Sequence, residues 1–130
     1  MSPKYDLNAF IRLCQTQEVP ILITKQALAD AKNDFNLWTK REILDFVACG
    51  GLENPVYINT KKVDLDLISL DSGSPARDSK SQGPDITDAY SFYSGYTYGY
   101  FSFFYSPKAN RWVIKSFHIN LEPDPKKLGD

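Results

Sequence analysis

The segment YTYGYFSFFYSPKANRWVIKSFHIN, residues 96–120, contains the only histidine of the chain, His118, and two nearby cationic residues, Lys115 and Arg111. A histidine can accept or donate a proton near neutral pH. Lysine and arginine can stabilise the extra negative charge that a phosphate carries during its transfer. These residue types are those that RNA cleavage without a metal ion requires. A lone histidine on a strand is often structural, so the interpretation depends on the surrounding residues.

Three tyrosines alternate with other residues at the start of the same segment. Tyrosine rings can stack on nucleobases. They also fit a pleated, half-buried surface, and aromatic pairs across strands stabilise a sheet by about 0.2–1 kcal/mol each. Packing is therefore the alternative to a functional role. The candidate catalytic residues are His118, Lys115, Tyr98 and Tyr100. The candidate RNA-binding residues in this segment are Arg111 and Tyr96.

A second cationic group occurs in PVYINTKK, where Lys61 and Lys62 follow Tyr57. We interpret these three as further RNA-binding candidates, with a solvated strand end as the alternative. Asp64 and Asp66 have no third carboxylate at a ligand spacing, so the sequence predicts no metal site. No glycine-rich phosphate loop is present, and no cofactor is expected.

Composition constrains the class of partner. The formal net charge is -1 and the pI about 5.8, which gives no overall attraction for nucleic acid or an anionic membrane. No apolar run approaches the roughly 18 residues that span a bilayer, and no apolar signal region begins the chain. Cys14 and Cys49 lack a metal-binding spacing and are expected to be buried thiols in a reducing compartment. We expect a cytoplasmic protein without a membrane partner.

The N-terminal half predicts three helices. Leu7, Phe10 and Cys14 follow a helical spacing after Asp6, which can cap the helix. Thr24 is the expected cap of a second helix. In TKREILDFVACGG, residues 39–51, the first threonine and the glutamate three residues later have the spacing of a capping box, and the two glycines end the helix.

The second half predicts strands. VYINTKKVDLDLISL, residues 56–70, approaches an alternating pattern, and SPKAN, residues 106–110, is expected to turn the chain between two extended aromatic runs. Strict alternation would place Ile114, Ser116 and His118 on one face of the last strand. Residues 71–88 predict a mobile loop, and residues 121–130 a loose tail.

The expected fold is therefore α+β, with three N-terminal helices packed on an antiparallel sheet that ends in a long aromatic hairpin. We expect one domain over residues 1–130.

This arrangement resembles the RelE/ParE superfamily of toxins, and within it the MqsR-type messenger-RNA interferases. The likeness covers residues 5–62 and 90–119 and rests on the capped helix LWTKREILDFV, the strand with a tyrosine and lysines, and the ending VIKSFH. The resemblance implies a metal-free endoribonuclease, often ribosome-associated and neutralised by an antitoxin.

When the family's site residues are transferred by position, the resemblance implies that the basic residue following Ser-Phe corresponds to His118. It puts the family's tyrosine at Tyr98 or Tyr100, and its tyrosine–lysine site near Tyr57. Three features depart from the family: the slightly acidic charge, the long 71–88 segment and the three residues between Tyr57 and Lys61.

Two other functions fit the same residues. A non-catalytic protein-interaction module would use the aromatic sheet face, because tyrosine and tryptophan are enriched at the centres of interfaces. A small-molecule pocket between helices and sheet is the third hypothesis, although no particular residue supports it. The expected partners are RNA or the ribosome, an antitoxin or other protein, and a second copy in a homodimer.

Overall fold

The computed structural model describes residues 3–16, 20–63, 85–107 and 111–120. Within them the chain forms three helices and five strands, which confirms the α+β class. In chain order the elements are α1 (Leu7–Thr16), β1 (Ile21–Ile23), α2 (Lys25–Phe35), α3 (Lys40–Ala48), β2 (Glu53–Val63), β3 (Asp85–Ser94), β4 (Thr97–Ser106) and β5 (Arg111–Ile119).

The helices begin where their capping residues predict. The Asp6 carboxylate accepts from the backbone N–H of Asn8 at 2.9 Å, and the Thr24 hydroxyl accepts from that of Ala27 at 3.0 Å. At α3 the predicted capping box is present. The Thr39 hydroxyl accepts from the backbone N–H of Glu42, and the Glu42 carboxylate accepts from the backbone N–H of Thr39. These bonds satisfy N–H groups that have no partner within the helix.

The five strands form one sheet in the order β1-β5-β4-β3-β2. Neighbouring strands are antiparallel except β1 and β5, which run parallel with Ile21 opposite Trp112 and Ile23 opposite Ile114. The prediction of a fully antiparallel sheet was therefore wrong at this edge. The three residues of β1 come directly before the cap of α2 and carry too little pattern to be recognised as a strand.

All three helices pack on one face of the sheet. Residues of every helix join one buried cluster with Phe101, Phe103 and Phe117 of the sheet, and the ring of Phe10 stacks on that of Phe103 at 4.4 Å. Gly99 belongs to the same face, where an added Cβ would lie 2.4 Å from the Phe92 ring. Close packing therefore requires the glycine inside β4, and no functional role is needed to explain it.

A bulge in β5 changes which of its side chains face the helices. Ser102 lies opposite Ser116, but the next residue of β4, Phe103, lies opposite Ile114. Lys115 is the extra residue, so Lys115 and Ser116 together oppose Ser102. Ile114 and Phe117 both enter the helix-side core. Strict alternation was wrong for this strand, because it grouped Ile114 with Ser116 and His118.

Strand β3 was not predicted. It begins at Asp85, so residues 85–88 belong to the sheet and not to the predicted loop. The rest of that loop, residues 71–84, lies outside the described residues, as do the predicted tail 121–130 and the carboxylates Asp64 and Asp66. The alternating sequence ITDAYSFY, residues 86–93, carries a strand signal that the neighbouring serine- and proline-rich stretch obscured.

The two cysteines differ in exposure. Cys14 of α1 is fully buried as predicted, whereas Cys49 is exposed at the C-terminal end of α3, which corrects the expectation of two buried thiols. Burial raises the pKa of the Cys14 thiol from 9.0 to about 12. Burial, with the negative charge of Asp88 as the next cause, also raises the pKa of Tyr90 from 10.0 to about 12.

We expect the folded state to lose stability as pH rises above about 9. The unfolded chain releases the Cys14 proton near pH 9, while the folded chain holds it to about pH 12. The folded state thus binds more protons in this window, and its free energy of unfolding falls by up to ~1.4 kcal/mol per pH unit for this group. Urea denaturation across the window measures the slope.

Two variants identify the source of that slope. Cys14→Ala should reduce it, leaving the part that Tyr90 contributes above pH 10. Cys49→Ala, which removes an exposed thiol, should leave it unchanged. Equal slopes for the wild type and Cys14→Ala would contradict this assignment.

Candidate functional site

The outer face, defined here as the sheet face opposite the helices, contains the predicted histidine. Residues directly opposite each other on antiparallel strands share a face. Two adjacent rows of such residues cross the centre of the outer face. The first row is Val56, Ser91, Tyr100 and His118. The second row, called here the serine row, is Asn59, Ala89, Ser102 and Ser116.

His118 and Tyr100 form a stacked pair at the β5 end of the first row. Their rings are 4.9 Å apart between centroids and inclined by only 9°. Both side chains are half-buried. The structure thus brings together two of the four candidate catalytic residues, on the outer face and away from the helix-side core.

A hydrogen bond fixes which nitrogen of His118 carries the proton in the neutral ring. Nδ1 lies 2.8 Å from the carbonyl oxygen of Ile119. Because a carbonyl oxygen can only accept, Nδ1 must donate its proton in this bond. The lone pair of neutral His118 is then on Nε2, which is the nitrogen able to accept a proton from another molecule.

The bulge places the backbone of Lys115 in this part of the sheet. As the extra residue of β5, it shares with Ser116 the position opposite Ser102. Two bonds from Thr24 hold this part of β5: its hydroxyl donates to the carbonyl of Lys115 at 2.8 Å, and its N–H donates to that of Ile114 at 3.1 Å. The helix cap of α2 therefore also fixes the backbone position of a candidate catalytic lysine.

The other two candidate tyrosines of the segment, Tyr98 and Tyr96, lie toward the tip of the β3–β4 turn. Tyr98 lies opposite Tyr93, with ring centroids 5.0 Å apart. Tyr96 is in the turn itself and is fully exposed. Tyr98 therefore lies two residues from Tyr100 on the same face, whereas Tyr96 lies beyond the sheet.

The candidate RNA-binding residues are not gathered at His118. Arg111 begins β5, and at about 3.3 Å per residue it lies roughly 20 Å from His118. Lys61 and Lys62 are exposed on β2, opposite Thr87 and Ile86. Tyr57 lies on the helix side of the sheet, 5.8 Å from Tyr90 between ring centroids. The order of these residues in the sequence does not show that they lie far from His118 in the fold.

A buried carboxylate that the sequence placed in a loop occupies the helix side of β3. Asp88 is fully buried and accepts from the backbone N–H groups of Lys4 at 3.0 Å and Tyr5 at 2.7 Å. It also accepts from the hydroxyl of Thr60 at 2.7 Å, and that hydroxyl lies 2.5 Å from the hydroxyl of Tyr57. The Tyr57 hydroxyl thus belongs to an internal network that fastens the start of the chain to β2 and β3.

Two polar atoms of the serine row were not recognised from the sequence. Among the described residues, Ser102 Oγ and Asn59 Oδ1 are buried side-chain atoms that make no hydrogen bond. Ser102 is 1% exposed. A buried polar atom without a partner costs about 1–3 kcal/mol. The sequence does not show that a serine or asparagine in a strand will be buried without a hydrogen bond, because this depends on pairing across three strands.

The described residues contain neither a cluster of three metal-ligating side chains nor a membrane-spanning helix. No group of three or more His, Cys, Asp or Glu side chains there could hold a metal ion. No helix there is both long enough and apolar enough to cross a membrane.

Comparison with known proteins identified no relative. The chain matches no protein-family model, no curated protein and no solved structure.

We expect Asp88→Ala to lower the free energy of unfolding by about 3 kcal/mol, because it leaves the N–H groups of Lys4 and Tyr5 without their acceptor. Asp30→Ala removes a carboxylate that accepts an exposed bond from Gln26 and should change stability by less than about 0.5 kcal/mol. Urea denaturation compares the two. Unchanged protection of the Lys4 and Tyr5 amides from hydrogen exchange in Asp88→Ala would contradict the anchoring role.

Hydroxyl groups on the outer face provide a second comparison. Ser102→Ala should leave stability unchanged or raise it by up to ~1 kcal/mol, since it removes an unsatisfied buried atom. Thr87→Val should lower stability by about 1 kcal/mol, because Thr87 donates to the carbonyl of Phe103 at 3.0 Å. Thermal and urea unfolding of both variants measure this. A larger loss for Ser102→Ala than for Thr87→Val would contradict the unsatisfied state of Ser102.

Proposed function

We propose that the outer face binds RNA and that His118 is the acid–base group of a metal-independent endoribonuclease of the toxin type. The observation that supports this best is the hydrogen bond from His118 Nδ1 to the Ile119 carbonyl, since it leaves Nε2 as the proton acceptor. The imidazole is also held in one plane by the parallel ring of Tyr100. Oriented imidazole groups of this kind contribute about 10²–10⁴-fold to proton-transfer steps.

The proposed reaction uses the 2′-hydroxyl of the RNA as nucleophile. His118 Nε2 accepts the proton of this hydroxyl, and the oxygen forms a bond to the adjacent phosphorus. The bond from phosphorus to the 5′ oxygen of the next nucleotide breaks, and that oxygen takes up a proton from the imidazolium or from water. The products are a 2′,3′-cyclic phosphate and a 5′-hydroxyl end, with no change in oxidation state.

Two further side chains have roles in this proposal. The ammonium group of Lys115 offsets the negative charge that collects on the phosphate oxygens. The backbone of Lys115 lies opposite Ser102, in the row next to the first row. The paired rings of Tyr93 and Tyr98 offer a surface on which neighbouring bases stack. Arg111 has no part in the reaction, because it lies at the other end of β5.

The resemblance to RelE/ParE toxins extends the proposal to partners. An antitoxin protein would hold the activity in check, and translating ribosomes would present the messenger RNA. The slightly acidic overall charge provides no long-range attraction for RNA, so binding in this proposal depends on contacts at the site itself.

We expect the purified wild type to cleave a mixed-sequence RNA in the presence of EDTA, and His118→Ala to lose at least 100-fold of the rate, because the proton acceptor is gone. Gel analysis of the RNA measures the rate, and the cyclic phosphate ends identify the reaction. Asn33→Ala, an exposed change on helix α2, is the matched control and should cleave like the wild type.

Other outcomes are decisive as well. Equal cleavage by His118→Ala and the wild type would remove His118 from the mechanism. If RNA stays intact both alone and on translating ribosomes, the ribonuclease proposal fails. A non-catalytic protein interaction through the aromatic outer face then becomes the leading hypothesis.

A further inference from the structure

Strand β5 has one side that β1 pairs with over only part of its length. β1 lies opposite Trp112, Val113 and Ile114, and among the described residues no strand continues this pairing toward Ile119. Backbone N–H and carbonyl groups on such an open edge need partners from side chains or water. The side chains that bind these groups therefore determine how the His118 end of β5 is held.

The backbone of Ile119 lies on this open side. The N–H of the next residue, Asn120, donates to the carbonyl of Tyr98 in β4 at 2.9 Å. Because successive N–H groups along a strand point to opposite sides, the N–H and carbonyl of Ile119 point away from β4. Both have side-chain partners. The Asp34 carboxylate accepts from the N–H at 2.9 Å, and His118 Nδ1 donates to the carbonyl at 2.8 Å.

Helix α2 places Asp34 at this end of β5. The helix begins beside the bulge, where its cap Thr24 bonds to the carbonyls of Ile114 and Lys115. At about 1.5 Å per helical residue, the 11 residues of α2 extend roughly 16 Å. At about 3.3 Å per strand residue, the stretch from Lys115 to Ile119 extends roughly 13 Å. The helix therefore spans the open edge and bonds to β5 at both of its ends, with Asp34 in its last turn.

These bonds restrain the carbonyl that orients the histidine. Asp34 holds the N–H on one side of the Ile119 Cα, and β4 holds the N–H of Asn120 on the other. The Ile119 carbonyl is thereby kept where His118 Nδ1 can donate to it while the imidazole lies parallel to the Tyr100 ring. Loss of the Asp34 bond frees the backbone at Ile119 to rotate, and the acceptor of Nδ1 then moves away.

We propose that Asp34 is a positioning residue for His118. By holding the N–H of Ile119, it keeps the neutral imidazole in the tautomer with the proton on Nδ1 and the lone pair on Nε2. This tautomer follows from the hydrogen bonds alone, whereas its use as a proton acceptor rests on the proposed function. Asp34 acts through the backbone of β5 and makes no contact with the RNA.

The first experiment reads the tautomer directly. Because His118 is the only histidine of the chain, the imidazole ¹⁵N signals come from a single ring. In the neutral ring, a long-range ¹H–¹⁵N correlation spectrum of the wild type should show a protonated Nδ1 and an unprotonated Nε2. The reverse pattern overturns the proposal without any variant.

Variants of α2 then test Asp34. Asp34→Ala should lower the ratio of the Nδ1–H to the Nε2–H tautomer about fivefold, the effect of losing one net hydrogen bond. Asp34→Asn keeps an oxygen that can accept and should keep the wild-type ratio. Asp30→Ala removes the same charge one turn earlier, where the carboxylate accepts from Gln26, and should also keep it.

The backbone amide spectrum shows whether each variant is folded. An unchanged tautomer ratio in folded Asp34→Ala overturns the positioning role. An equal change in Asp30→Ala also overturns it, because charge and not the bond to Ile119 would then be the cause.

Cleavage rates distinguish this inference from the proposed function. Asp34→Ala should lower kcat for metal-free RNA cleavage about tenfold with KM unchanged, and Asp34→Asn should cleave like the wild type. If the tautomer responds to Asp34 but the wild type cleaves no RNA, the ribonuclease fails and the positioning role stands. If the wild type cleaves RNA and the tautomer does not respond, the positioning role fails and the ribonuclease stands. A changed tautomer with an unchanged kcat overturns the catalytic use of Nε2.

Discussion

The extra residue in β5 determines which side chains reach each face of the sheet. With Lys115 inserted opposite Ser102, the strand presents Ile114 and Phe117 to the helices and Ser116 and His118 to the outer face. A regular strand could not do both, because alternation would move His118 to the face of Ile114. The helix-side core and the candidate site therefore both depend on one irregularity, which Thr24 holds by bonds to two consecutive carbonyls.

Local rules predicted the helices well because their signals are contained in a few adjacent residues. Asp6, Thr24 and the Thr39–Glu42 pair each cap a helix as their spacing indicates. The sheet was less predictable, because its features arise between distant residues. The parallel pairing of β1, the bulge at Lys115 and the sheet position of Asp88 all require partners about 15 to 90 residues away in the chain.

The same distinction applies to the candidate site. Residue types alone suggested His118, Tyr100, Tyr98 and Lys115, and the fold brings the first three to one face. The types alone also suggested Arg111 and Tyr57, which register places elsewhere. Ser102 and Asn59 are ordinary strand residues by type, and only their burial and pairing make them unusual. Sequence reasoning can therefore find a titratable candidate side chain more readily than a buried polar atom whose state depends on strand pairing.

The Asp88 anchor has a consequence for the order in which the protein forms. Its carboxylate binds the amide of Lys4 across 84 residues of chain, and the β1–β5 pair joins Leu22 to Val113. On a ribosome, the helices α1 to α3 are synthesised before β3, β4 and β5, which complete their core. The apolar faces of the helices stay uncovered until these three strands emerge. Contacts between residues so far apart in the chain form slowly. The nascent chain thus acquires its aromatic face and the His118–Tyr100 pair only after β5 has been synthesised.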